Sequence, residues 1–196
     1  MKPAPKLNKR RQPRRSRKGC ATQSIGLAPR AMGGYTNRSA MNIVLVEPEI
    51  PPNTGNVARL CAATGSRLHL IEPLGFQLDD RQLKRAGMDY WEQVQWRCWP
   101  NWVEFTAHLT PSSRLWFIES GGPKRYTEAR FSPDDYLVFG RETAGLPKAW
   151  LECQPERWLR IPMFNPAARS LNLSNCVAIV LFEALRQNNF AGERAT

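Results

Sequence analysis

The chain has 196 residues, of which 42% are hydrophobic, enough for one domain of ordinary size with a buried core. No run of about 18 apolar residues occurs, which excludes a helical membrane span. The formal net charge of +11 is unevenly placed: 11 of the 28 Lys and Arg lie in residues 1–40 with no Asp or Glu, so the other 17 balance 17 acids in residues 41–196.

The first forty residues have little apolar periodicity and read as a disordered basic extension, with residues 41–196 as the folded domain. Three accounts of the extension stay open: an arm for RNA phosphates, an Arg-rich organelle transit peptide, and an upstream start with Met41 the true first residue. "NIVLV" (42–46) reads as a strand ended by Pro48, and "TGNVARLCAATG" (54–65) as a helix capped by Asn53 or Thr54 and stopped by Gly65. "RLHLIE" (67–72) is the next strand, and "DDRQLKRAGMDYW" (79–91) opens with acids suited to a helix N-terminus. "NWVEFTAHL" (101–109) reads as helix, "RLWFIES" (114–120) and "YLVFG" (136–140) as strands, and "LPKAWLEC" (146–153) as a short helix. "RWLRIP" (157–162) is the last strand, and the final helix runs from about Asn175 to Gln187 with Ser174 or Asn175 as its cap. Strands alternating with helices predict an α/β fold, a parallel sheet covered on both faces.

Five cysteines (Cys20, Cys61, Cys98, Cys153 and Cys176) form no CxxC pair, and His69 and His108 are too few and too scattered for a metal site. Reduced thiols, a cytoplasmic location and no metal are the expectation. There is no GxGxxG after the first strand and no GxxxxGK[ST], so neither a dinucleotide site nor a P-loop is supported. Three loops are nonetheless richer than connection requires. "EPEIPPNTGNVARLC" (47–61) carries Asn53 and Arg59; "FGRETAGLP" (139–147) places Gly140, Arg141 and Glu142 at a strand end. In "RSLNLSN" (169–175), Ser170, Asn172, Ser174 and Asn175 exceed the single side chain that a helix cap needs; an uncharged ligand edge with donors and acceptors would use the surplus.

In this order, "NTGNVAR", "FGRETAGLP" and "IPM…RSLNLSNCVAIV" resemble the three motifs of the SPOUT superfamily of knotted RNA methyltransferases. "EPEIPPNTGN", "RLHLIEPLGF" and "RAGMDYW" resemble in particular its small single-domain group, which 2′-O-methylates nucleotide 34 of tRNA. The resemblance covers residues 41 to about 190. It implies a SPOUT-type parallel sheet flanked by helices, with a deep C-terminal trefoil knot that generic chain rules would not predict. It implies S-adenosyl-L-methionine held at Ile118, Gly140, Ile161, Ser170, Leu171 and Leu173, largely by backbone groups. Arg59, Asn53 and Glu142 become catalytic candidates, and Arg59, Arg141, Ser170 and Asn172 candidates for tRNA. A homodimer is implied, with the first and last helices across the interface. A guanidinium is a poor base, so Arg59 is expected to orient the 2′-hydroxyl and a phosphate, with Asn53 and Glu142 holding Arg59 and the loops. The link "MFNPAARS" is about one residue longer than the usual pattern. Tyr90, Trp91 and Trp96 read as core or interface residues rather than base-stacking platforms. Two competing readings are 2′-O-methylation at another tRNA or rRNA site, and a non-catalytic RNA-binding protein that keeps the fold.

Overall fold

The computed structural model describes residues 40–77 and 93–194. Its centre is β1 (Asn42–Val46), five residues all buried. Next come helix α1 (Pro51–Thr64), β2 (Arg67–Ile71) and β3 (Gln95–Trp99). Helix α2 (Trp102–Ala107), β4 (Leu115–Ile118), β5 (Lys124–Arg125) and β6 (Tyr136–Phe139) follow. The chain then forms helix α3 (Lys148–Glu152), β7 (Trp158–Arg160) and helix α4 (Leu173–Gln187). The expected helix at 79–91, Tyr90, Trp91 and residues 1–39 of the extension lie outside the described residues.

All seven strands are parallel, in the order β3-β2-β1-β6-β4-β7-β5. The pleat of β1 explains why both faces must be covered. Ile43 and Leu45 join one apolar cluster with Val57 and Cys61 of α1 and Val177, Val180 and Leu181 of α4. Val44 and Val46 join the other, with Phe105 of α2 and Leu151 of α3. A strand buried on both sides reads as an unbroken apolar run, as "NIVLV" does.

Two strands were not foreseen. β3 sets Arg97 between Trp96 and Cys98, and only its pairing with β2 makes it a strand. β5 is two exposed residues registered on β7. The start of α1 also differs from expectation. It begins at Pro51, with Pro51 and Pro52 at its first positions, so Asn53 and Thr54 lie inside the first turn rather than at the cap. Prolines fit there because their missing N–H groups would have had no partner. The next two donors, Asn53 N and Thr54 N, reach Ile50 O at 3.0 and 3.4 Å. The last helix starts at Leu173 with Asn172 as its cap, earlier than expected, because the Asn172 Oδ1 accepts from Ser174 N at 2.9 Å. Among the described residues no helix is long and apolar enough to cross a membrane.

His69 belongs to this framework. Its Nδ1 accepts from Trp99 Nε1 at 3.2 Å, and Nε2 lies 3.3 Å from Asn42 Oδ1, which fixes the neutral tautomer with the proton on Nε2. Burial, then the charges of Arg67, His108 and Arg97, pushes its pKa from 6.5 down to about 4. A second proton would also meet the Trp99 N–H. Between those two pH values the unfolded chain binds a proton that the folded one refuses. Stability is therefore unaffected by His69 above pH 6.5 and falls as the pH drops toward 4, by up to roughly 3 kcal/mol. Urea unfolding from pH 7 to 4 should show this slope in the wild type and lose most of it in His69→Gln; equal slopes would rule the assignment out.

Candidate functional site

The sheet changes direction beside β1: the chain moves outward to β2 and β3, then returns to place β6 on the other side. In open parallel sheets ligands bind outside the carboxyl ends of the strands at such a point. Here the carboxyl ends of β1, β6 and β4 deliver Glu47, Gly140 and Glu119 side by side.

Three loops are tied together there by side chains. Glu142 accepts from Glu49 N at 2.8 Å, Ile50 N at 3.3 Å and Asn53 Nδ2 at 2.9 Å. Glu49 returns the contact, its Oε2 accepting from Thr143 N at 3.1 Å and Thr143 Oγ1 at 2.7 Å. Asn53 is almost fully buried, and its Oδ1 accepts from Asn172 Nδ2 at 2.8 Å. Asn172 thus caps α4 with its oxygen and holds α1 with its nitrogen. Arg141 pairs with Glu47, whose φ of 50° is a left-handed conformation rare for a glutamate. Such strain concentrates where surrounding contacts over-determine the backbone.

Gly140 is set by steric need. A Cβ on it would stand 2.2 Å from the Gly145 carbonyl carbon and 2.4 Å from Leu146 N. The 141–145 turn, closed by Gly145 N to Arg141 O at 2.9 Å, can fold back onto the strand end only against a glycine. Glu119 secures the far side of that turn, its Oε2 accepting from Leu146 N at 2.9 Å and its Oε1 from Ser120 N at 2.8 Å.

Of the residues expected from sequence, Asn53, Glu142 and Asn172 meet directly. Ile118 is buried at the end of β4, Leu173 is buried at the start of α4, and Ile161 and Leu171 are half-buried at the two ends of the β7–α4 loop. Ser170 is exposed in that loop, and Arg141 is exposed beside Glu47. Arg59 is exposed on α1, six residues beyond Asn53, which is about 9 Å along the helix axis. The bonds described for Asn53 and Glu142 serve the loops. Sequence reasoning missed Glu119, Glu49 and Glu47. The signal was available: a glutamate directly after an apolar strand, and "EPE" just before the double proline, put carboxylates at strand ends that face backbone donors.

The thiol of Cys176, in the first turn of α4, is pushed up to about 11 by burial, the Glu119 charge adding to it, so it is an unreactive packing group beside the loops. A recess of about 550 Å³ lies at the opposite end of the sheet, lined by Asn42, Arg67, Arg114 and Tyr136. Its arginines are engaged, Arg67 with Asp134 and Arg114 with Asp135, and none of the three loops reaches it, so its size does not mark the chemistry.

Three loops interlocked beside the switch point of a parallel sheet covered on both faces stand where an α/β protein of this class binds its ligand. Residues 40–182 match the SpoU rRNA methylase family. The chain belongs to that family, within the SPOUT superfamily of RNA methyltransferases. It is 54% identical over 153 residues to the tRNA (cytidine(34)-2′-O)-methyltransferase of Burkholderia pseudomallei (strain 1106a), covering 77% of this chain and 97% of that protein. A structure solved to explain the 2-OH methylation of C/U34 on tRNA superposes with a TM-score of 0.73 at 45% identity, covering 78% of this chain and 98% of the other. The AdoMet-bound rRNA methyltransferase from Sinorhizobium meliloti superposes with a TM-score of 0.66 at 25% identity, covering 75% of this chain and 56% of the other.

The Asn172–Asn53 bond should be measurable by a double-mutant cycle in urea unfolding. Asn53→Ala and Asn172→Ala are each expected to destabilise by about 1–2 kcal/mol, with a coupling of about 1 kcal/mol between them. Strictly additive single effects would mean that the bond does not join the two loops.

Proposed function

We propose that the protein transfers a methyl group from S-adenosyl-L-methionine to the ribose 2′-oxygen of the wobble nucleotide, C34 or U34, of tRNA. The observation that carries the reading is the interlocking of all three motif loops at one end of the sheet, in a chain aligned with almost the full length of relatives named for that reaction. The chain spans 97% of the Burkholderia pseudomallei tRNA methyltransferase but 56% of the rRNA methyltransferase from Sinorhizobium meliloti, which favours tRNA over an rRNA site.

The residues present fit the cofactor. Ile118 and Leu173, which share one apolar cluster, offer an adenine an apolar surface, and the amides and hydroxyls of residues 170–172 offer its polar edge donors and acceptors. A side chain at position 140 would fill the space in which the turn folds back. No phosphate loop is needed, because this cofactor carries no phosphate. When bound, it supplies an electrophilic methyl on a sulfonium, already a good leaving group. The protein's work is then orientation, removal of water and passage of the 2′-hydroxyl proton. Arg59 orients that hydroxyl and a neighbouring phosphate and stabilises the oxygen as it gains negative charge. Asn53, Glu142 and Asn172 fix the loops, and Arg141 and Ser170 face the RNA. No metal takes part.

The chain threads its 161–172 segment through a loop to form a trefoil knot, and two copies pair through α1 and α4. Support for the knot is family membership and the return of Asn172 from the β7 side of the sheet to α1. Support for pairing is apolar surface left open after α1 and α4 have packed on each other, at Ile50, Phe182 and Phe190. Mechanical stretching from the two ends should release less than the full contour length; complete extension would exclude the knot. Sedimentation at micromolar concentration should give a dimer that Phe182→Glu dissociates, and a monomeric wild type would exclude the pairing. The 11 Lys and Arg of residues 1–40 add non-specific, salt-sensitive affinity for tRNA, so removal of that extension should flatten the salt dependence of tRNA binding.

The decisive measurement is to incubate the protein with tRNA unmodified at position 34 and methyl-labelled cofactor, then map the label by nuclease digestion and mass spectrometry. Label on the 2′-oxygen of nucleotide 34 is expected; label elsewhere would keep the enzyme class and discard the wobble assignment. Arg59→Lys should keep tRNA affinity within about threefold while kcat falls at least about 100-fold, as loss of a contact made in the transition state requires. Turnover that survives this change would remove Arg59 from the chemistry.

A further inference from the structure

The loop from Ile161 to Asn172 does more than connect β7 to α4. Its side chain at Phe164 is 96% exposed, the most exposed large apolar group among the described residues, and Met163 beside it is 40% exposed. A lone exposed apolar side chain is ordinary, but Met163 and Phe164 stand exposed side by side on one loop. The tip is braced. Asn165 Oδ1 accepts from Ala167 N at 2.9 Å and Asn165 O from Ala168 N at 3.1 Å, while Pro162 and Pro166 restrict the backbone on either side. A braced tip displays its ring with little ordering left to do on binding.

The surroundings select the kind of partner. Arg169 is the sole charged residue from 161 to 172. The loop leaves the sheet at Arg160, whose Nη1 is held by Gly122 O and Pro123 O at 2.6 Å each, so that the exposed Lys124 and Arg125 of β5 lie along the same edge. Glu128 offsets part of this charge, accepting from Arg125 N at 2.5 Å. In residues 41–196, where basic and acidic residues balance at 17 each, Arg169 on the loop and Lys124 and Arg125 on the neighbouring sheet edge make a local excess of basic residues. The other end of the loop is Asn172, bonded to Asn53 in the site itself.

We propose that this loop is a base-stacking finger: Phe164 packs on the face of an unpaired nucleobase flanking the methylated ribose, while Arg169, Lys124 and Arg125 meet phosphates of the same RNA strand. The inference rests on the RNA ribose methylation reading and extends it to how the target nucleotide is presented. Unpaired RNA bases are taken by aromatic faces in this way, each stack being worth about 1–3 kcal/mol, or roughly 5- to 150-fold in affinity.

The test uses the full-length protein, an anticodon stem–loop RNA and S-adenosylhomocysteine as the cofactor product. Phe164→Ala and Phe164→Leu should each weaken binding and raise KM by about 5- to 100-fold, and Phe164→Trp should hold both within about threefold. The melting-temperature rise caused by S-adenosylhomocysteine should be the same in all four proteins. An RNA with abasic sites at the nucleotides flanking position 34 should bind wild type and Phe164→Ala equally. Three results would overturn the proposal: Phe164→Leu behaving as wild type, Phe164→Ala leaving KM unchanged, or Phe164→Ala altering the sedimentation coefficient, which would place the ring between protein copies. If the wild type labels nucleotide 34 and the variants match it, the finger falls and the methylation reading stands. If the wild type labels no ribose, both fall together.

Discussion

The carboxylate of Glu142 is the interaction on which the site depends. It takes two backbone N–H groups and one side-chain amide from a segment 89 to 93 residues earlier in the chain. Hydrogen bonds to an ionised acceptor are roughly twice as strong as neutral ones, and three on one group define position as well as energy. That contact sets where α1 begins, which sets Asn53, which sets Asn172 and with it the start of α4. Three segments distant in sequence are thereby fixed to one another beside the carboxyl ends of neighbouring strands.

Steric closeness reinforces the electrostatics. The turn after β6 folds back so tightly that only a glycine fits at 140, and Glu119 grips its far side through the Leu146 N–H. Glu47 keeps a left-handed backbone at the end of β1 while pairing with Arg141. Each device would be costly alone. Together they hold the three loops to one another at the carboxyl ends of the strands. Rigidity has a chemical purpose when the leaving group needs no help: a displacement limited by alignment gains from fixed geometry and little from a strong base.

The two ends of the sheet divide the labour. At the amino ends, charged and aromatic groups are saturated. Asp135 accepts from both Arg114 and Trp116, and His69 is kept neutral between Trp99 and Asn42. At the carboxyl ends, polar groups hold loops and leave exposed surface at Arg141, Ser170 and Phe164.

The sequence by itself determined the class of fold and the identity of the three loops. Apolar runs such as "NIVLV" and "YLVF" are buried on both faces, a burial that only a covered parallel sheet supplies, and Asn53, Gly140, Glu142 and Asn172 stand out as chemistry in excess of connection. It did not determine β3 or β5, because a strand with Arg97 between apolar neighbours, or one of two residues, exists only through pairing with a partner far along the chain. Nor did it determine the starts of the first and last helices, since the caps there are made by a backbone carbonyl at Ile50 and by an asparagine two residues upstream of the serine that would have sufficed. The roles of Glu49 and Glu119 were likewise decided by tertiary structure. A carboxylate becomes a clamp only when folding brings a backbone N–H within reach, and local sequence carries no record of which donor will arrive.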